Sequence, residues 1–459
     1  MSNFKLLLAL PVFCCLTTAP AMAEDLVDVL ELALAADPTL READANRLAA
    51  LESKPQARSA LLPQFNATGG LTDSQSNGIF TFPQALPGGG IVVVQASQEA
   101  DSFARQWELR INQSVFRWDQ WVRLAQADKQ VAQAEADYRL AIENLILRTS
   151  QAYFAVLSAS DTLQSTQATK EAIGRQLEQA ETRFEVGLTA ITDVHEAQAA
   201  YDEAIAGEIQ AKRELATARE QLREITGTYL SSFEKPSESL PLVTPNPANV
   251  DEWVDTAMQQ NIALTSSRLG VDIAKDDVKV SQSNRYPTLD FFASRSRRNT
   301  DATQINNNGP AFPADSDNFN DSIGLQFSVP IYTGGNNSSL IRQAVYQHRA
   351  ARERLERVAR ETERRTRDSY LGVLSEISRV QALKRALISA ETALKATEAG
   401  FDVGTRTTVD VLNSRRQLFS AQTNYFISRY DYIINVLTLK QAAGGLNRAD
   451  IEGINQWLE

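Results

Sequence analysis

The sequence predicts a duplicated membrane protein of mixed α and β structure, in which a few amphipathic strands precede helices too long for a compact domain. Three observations predict it. The chain opens on an export signal and holds no apolar run long enough for a membrane-spanning helix. Each half carries the period-2 alternation of strands, and each half then continues through a long stretch free of proline.

The chain has 459 residues and a formal charge of −11, with 46 Lys and Arg against 57 Asp and Glu. Such a chain repels phosphate backbones, so nucleic acid is not an expected partner. Two histidines and two cysteines leave little for a metal site or a Cys/His nucleophile. Residues 1–23 read as a signal peptide: Lys5 gives the positive start, Leu6 to Leu16 the apolar core, and Ala21-Met22-Ala23 the cleavage site. Phe13 is bulky where a lipidation signal before Cys14 needs a small residue, so cleavage after Ala23 is expected. Cys14 and Cys15 leave with the signal, and the mature chain from Glu24 has no disulfide. No apolar run reaches the ~18 residues of a spanning helix.

Two copies of one unit follow. RFEVGLTAITDV at 183–194 matches GFDVGTRTTVDV at 400–411 through Phe184/Phe401, Val186/Val403, Gly187/Gly404, Asp193/Asp410 and Val194/Val411. A seam rich in proline (Pro236, Pro241, Pro245, Pro247) separates them. The expected organisation is a signal at 1–23, a first repeat at 24–235, a linker at 236–248, a second repeat at 249–443 and a C-terminal segment at 444–459.

Within the first repeat, residues 65–71 and 107–115 alternate apolar and polar side chains, as in Trp107, Leu109 and Ile111 against Glu108, Arg110 and Asn112. They predict short strands joined by a long polar loop at about 72–104. Ala, Glu, Gln, Arg and Leu then predict a helix from about Trp118 to Glu185, roughly 100 Å at ~1.5 Å per residue. Gly187 is expected to end it in a left-handed turn, and a second helix returns. The second repeat predicts strands at 289–295 and 323–331, a loop at about 299–320, a helix from about Asn336 to Phe401, and a turn at Gly404. In the last helix Val411, Leu418, Tyr425, Tyr432 and Leu439 recur at the heptad spacing of a coiled-coil seam.

Alternating strands of ~9–11 residues in an exported chain are the signature of an outer-membrane barrel. Four strands cannot close one, and open edges are not tolerated in lipid, so several chains must share it. The rival reading is a periplasmic coiled-coil or adaptor protein without a barrel, against which the alternating strands and long loops argue. Enzyme chemistry finds no support. His195 and His348 lack a second ligand at metal spacing, and Gly88–Gly90 lacks the lysine of a phosphate loop. The acidic run at 315–321 lacks the glycine and glutamate of a calcium loop, and the arginines of 349–367 are interleaved with glutamates as on a solvated helix face.

These residues resemble the TolC family of outer-membrane efflux and secretion ducts, nearer its members without a lipid anchor. The likeness covers nearly the whole mature chain and rests on EAGFDVGTRTTVDVL at 398–412, RFEVGLTAITDV at 183–194, INQSVFRWDQW at 111–121 and VPIYTGGN at 329–336. It implies a homotrimer with a 12-stranded barrel, four strands per protomer, continuous with a periplasmic α-helical barrel. It implies a passive exit duct for type I secretion or multidrug efflux in outer-membrane lipid. A periplasmic adaptor and an inner-membrane translocase of the RND, ABC or MFS type would recruit it, and no cofactor is implied. The resemblance further makes Asp410 the aspartate of an entrance ring, with Asn413 where a second aspartate would stand. Arg406, Thr192 and Asp193 become a latch between helix pairs. Phe401 takes the place of a latch tyrosine but has no hydroxyl. Val186, Gly187 and Leu188, with Val403, Gly404 and Thr405, become the tips on which the adaptor docks.

Overall fold

The computed structural model describes residues 24–237, 240–306 and 310–458. The signal peptide expected at 1–23 lies outside the described residues. The first half runs α1 (Leu26–Ala36), α2 (Pro38–Leu51), α3 (Ser53–Ser59), β1 (Gln64–Ala85), β2 (Ile91–Phe116), α4 (Trp118–Glu185) and α5 (Ile191–Thr226). The second half runs α6 (Val250–Gln260), α7 (Ile262–Ser283), β3 (Thr288–Asn306), β4 (Phe312–Pro313), β5 (Ser316–Ser328), α8 (Asn336–Asp402), α9 (Thr408–Ala443) and α10 (Arg448–Asn455). The long helices α4 and α8 start where the absence of proline and the good helix formers place them.

The strands are longer than alternation predicts. Most of the expected loop at 72–104 is strand, because β1 and β2 stay paired from Gln64↔Asn112 to Ala85↔Ile91 and turn only at 86–90. Alternation fails there for a physical reason. From Thr72 to Asn77 both faces carry polar side chains, so the ladder is held by backbone bonds and a Pro-Gly-Gly-Gly turn rather than by one greasy face. The loop expected at 299–320 is likewise shortened, with β3 reaching Asn306 and β5 beginning at Ser316. Val329 and Ile331 fall beyond the end of β5.

Two compact units divide the described chain, and each draws on both halves: 43–139 with 262–361, and 24–42 with 140–261 and 362–458. The first holds an antiparallel sheet ordered β1-β2-β3, with β5 and the two-residue β4 both on the far side of β3. β1 and β5 are its edges. Strand residues alternate between faces. One face gathers the exposed Phe65, Leu71, Leu109, Ile323, Leu325 and Phe327 with the half-buried Ile111. The other is polar, with Ser74 and Ser102 bonded at 2.8 Å and Ser294 and Ser322 at 2.8 Å. Gly324 sits on that polar face because the Phe292 ring crosses it; a Cβ there would lie 2.8 Å from the ring.

The second unit is helical. The α1 residues Leu26, Val29, Leu30 and Ala33 are buried with Leu222, Ile225, Ile433, Leu437, Ile451 and Ile454. Tyr153 meets Phe154 edge-on at 5.4 Å, and Phe154 stacks on Tyr430 at 5.7 Å. The proline-rich seam is strapped to this core. The Tyr153 hydroxyl donates to the Glu234 carbonyl at 2.8 Å, Arg429 donates to that of Pro236 at 2.7 Å, and the Val243 N–H donates to Tyr432 at 2.9 Å. Of the heptad positions on α9, Val411, Tyr425, Tyr432 and Leu439 are buried and Leu418 is half-buried.

Glu143 on α4 is buried, and desolvation pushes its carboxyl up to about 7 from 4.5. The folded protein therefore keeps a proton that the unfolded chain releases, and stability falls as pH rises through that window. Glu143→Gln should flatten this part of the stability curve and raise the melting temperature above neutral pH. Thermal melts across the window check it; an unchanged slope counts against the assignment.

Candidate functional site

The turns that end α4 and α8 carry the strongest internal repeat, and their backbones are the same. The Leu188 N–H donates to the Arg183 carbonyl at 2.8 Å and that of Gly187 to Phe184 at 2.9 Å. Likewise Thr405 donates to Gly400 at 2.8 Å and Gly404 to Phe401 at 3.0 Å. This pair of bonds is the Schellman stop, which needs a left-handed residue at its fifth position. Gly187 and Gly404 supply it, with φ of 75° and 78°. A Cβ on either would meet nothing within 4 Å, so the turns are open to solvent.

The return helices start differently. Thr407 caps α9 and forms a reciprocal box with Asp410: its hydroxyl oxygen accepts from the Asp410 N–H, and the Asp410 carboxylate accepts from the Thr407 N–H at 2.9 Å. These bonds, with Arg406 adding attraction, hold the Asp410 carboxyl below its ordinary range. At the matching place in the first repeat Ala190 offers no side-chain cap, and Asp193 accepts instead from the Thr189 hydroxyl. The Thr-x-x-Asp spacing at 407–410 is the local signal of this cap.

The side chains at the tips are exposed. Leu188 and Val403 are 76% and 75% exposed, and Val186, Thr405 and Arg406 face solvent as well. Behind them the Arg183 guanidinium lies 4.5 Å above the Phe401 ring, which joins the two hairpins. Deeper, Ile173, Ala200 and Leu412 form a small core flanked by Tyr201 and Ala204. Arg415 pairs with Glu398 at 2.6 Å. On α5 the buried Ala197, Ala211 and Ala218 let the helix approach its neighbours closely. Glu208 pairs with Lys170 at 2.7 Å and Lys212 at 2.8 Å, and those hydrogen bonds hold its carboxyl down to about 2.

Of the latch residues expected from the resemblance, Arg406 folds over its own turn, its stem beside Gly400, where a Cβ would stand 2.8 Å from it. Among the described residues no ion pair or hydrogen bond joins Arg406 to Thr192 or Asp193 within the protomer. Phe401 has its partner in Arg183, a contact with no signature in the sequence. Asn413 is exposed on α9 and shares the Asp410 face, three residues on.

The family described as Outer membrane efflux protein matches residues 29–228 and 253–445. Outer membrane protein TolC of Vibrio cholerae is 38% identical over 438 residues, which cover 95% of this chain and 94% of that one. The alkaline protease secretion protein AprF of Pseudomonas aeruginosa is 26% identical, covering 96% of this chain and 88% of its own. Among solved structures, the CmeC outer membrane channel of Campylobacter jejuni superposes with a TM-score of 0.72 at 16% identity, covering 95% of this chain and 89% of that chain.

Proposed function

The chain belongs to the outer membrane efflux protein family, and on that premise we propose that three copies share one barrel of twelve strands, continuous with a helical tunnel in the periplasm. The protein is an outer-membrane channel for type I secretion and multidrug efflux. One observation carries the shared barrel: at the helix-proximal end the sheet has an apolar band on one face and polar side chains on the other, and among the described residues its β1 and β5 edges carry no further long strand. In lipid each open edge must find a strand, so β1 of one copy pairs with β5 of the next. Exposed Phe116, Trp118, Trp121, Tyr286 and Tyr332 stand where the strands meet the helices, the level of an aromatic girdle. Extraction from outer membrane should require detergent and yield a trimer with Glu24 at its N-terminus. A stable monomer, or a retained acylated cysteine, would sink this reading.

The exposed tips, Val186-Gly187-Leu188 and Val403-Gly404-Thr405, suit docking of a periplasmic adaptor, with an inner-membrane translocase of the RND, ABC or MFS type behind it. Asp410 lines the tunnel entrance. Three ionised carboxylates around one axis attract cations, and the Thr407 bonds help keep them charged. In planar bilayers Asp410→Ala should remove block by divalent or trivalent cations added on the periplasmic side. Thr407→Ala, which weakens the cap by about 1 kcal/mol but keeps the charge, should retain block. With Asn413 in place of a second acid the ring binds multivalent cations less tightly than a double ring would. Arg406→Ser and Asp193→Ala should each raise conductance by freeing one helix pair from its neighbour in the trimer. Wild-type currents in all of these variants would place the gate elsewhere.

A further inference from the structure

We propose that the far ends of the three β1–β2 hairpins meet over the outer mouth of the barrel and close it by apolar contact. The inference rests on the shared-barrel reading. Among the described residues the last pair between β2 and β3 is Gln98↔Asn306, while β1 and β2 remain paired to Ala85↔Ile91. Residues 79–97 therefore stand beyond the sheet as a two-stranded ribbon. Its apolar side chains lie on both faces. Ile79 and Ile91 are each 75% exposed and Val93 73%, while Phe82 and Val92 are exposed on the opposite face.

A two-stranded ribbon alone in water is marginal, and natural proteins protect an apolar edge with charge or proline. Here Pro83 and Pro87 stand in the ribbon, but charge is missing. In a chain that is 22% charged, none of the residues between Asp73 and Glu99 carries a charge. That composition suits contact between identical copies, which would repel one another if any tip residue were ionised. It also selects against secreted cargo held by charge.

The reach is sufficient. Strands ~4.8 Å apart and tilted ~40° give a twelve-stranded barrel a radius of ~12 Å, and seven ribbon rows span ~23 Å. The ribbon bends back at 86–90, where the Leu86 N–H donates to the Gly90 carbonyl at 2.7 Å and Gly89 takes φ 92°. Phe82 and Val92 share the face of Ser74 and Ser102, the polar side of the sheet and, on the shared-barrel reading, the lumen side. Three such tips would replace water in the mouth with side chains that do not hydrogen-bond it, and a narrow apolar constriction empties of water.

Cysteine chemistry tests this directly, because both native cysteines lie in the signal peptide. Gly88 has open space around its Cβ position, so Gly88→Cys should fold. Oxidation of the purified trimer should then give a disulfide-linked pair of protomers on denaturing gels. In a second arm, Ser102→Cys on whole cells should react slowly with an impermeant maleimide. It should react several-fold faster once Phe82→Asp and Val92→Asp are added. An intact trimer with no cross-link and equal labelling rates overturns the closure. So does quenching of a fluorophore at Gly88→Cys by brominated lipid, which would assign the ribbon to the membrane. A monomeric extract would instead overturn the shared barrel itself.

Discussion

Gly444→Ala should leave little assembled protein in the outer membrane. Gly444 ends α9 in the left-handed region at φ 79°, where an L side chain costs ~1–2 kcal/mol. Strain is the smaller part. A Cβ on Gly444 would stand 2.6 Å from the Gln260 carbonyl oxygen and the Asn261 Cα, and 2.7 Å from the Asn261 nitrogen. These are backbone atoms at the end of α6 and cannot swing aside as a side chain would. The same corner is pinned by the Asn261 side-chain amide, which donates to the Ala442 carbonyl at 3.0 Å. Either the α6–α7 corner moves or α9 ends early, and both disturb the core around Ile433 and Leu437. Detergent-extracted trimer, quantified beside Gly187→Ala and Gly404→Ala as controls for strain alone, is the measurement. Equal yields from all three would show that the α6 corner yields easily.

Gly187→Asp and Gly404→Asp should abolish drug resistance and protein export while trimer yield stays normal. Two effects compete: the left-handed strain, again ~1–2 kcal/mol, and a charge set among exposed apolar tip residues. Nothing within 4 Å of either Cβ position resists the new side chain, so the fold tolerates the change. An adaptor that buries Leu188 and Val403 would have to desolvate the new carboxylate with no partner for it. Alanine at the same positions adds the strain without the charge and should keep most activity. Should trimer yield collapse together with activity, the tips matter for assembly and docking finds no support here.

The helices were legible because their cues are local and additive. Good helix formers without proline mark Trp118–Glu185, and Gly187 and Gly404 stand where the chain must take positive φ. The strands were legible only where one face is greasy. Beyond Leu71 the ladder continues through Asp73, Ser74 and Gln75, and no periodicity separates such a strand from a polar loop. At the tips, the left-handed glycines follow from the motif itself. The Arg183–Phe401 contact joins residues from separate hairpins, and nothing in either segment announces the other. The cap made by Asp410 has a local signal of its own. Thr407 and Asp410 stand at the Thr-x-x-Asp capping spacing, while the resemblance alone gives Asp410 a role at the entrance.

The two bare edges of the sheet have a consequence for inheritance and dosage. On the proposed shared barrel, a chain whose β1 or β5 edge is spoiled could not finish the barrel, yet its other edge could still recruit sound neighbours. If three copies share the barrel, as proposed, and spoiled and intact chains are made in equal amounts and assemble at random, only about one assembly in eight would be wholly intact. Edge lesions should therefore behave as dominant poisons in a merodiploid cell. A chain that fails to fold at all removes only itself, and should be recessive.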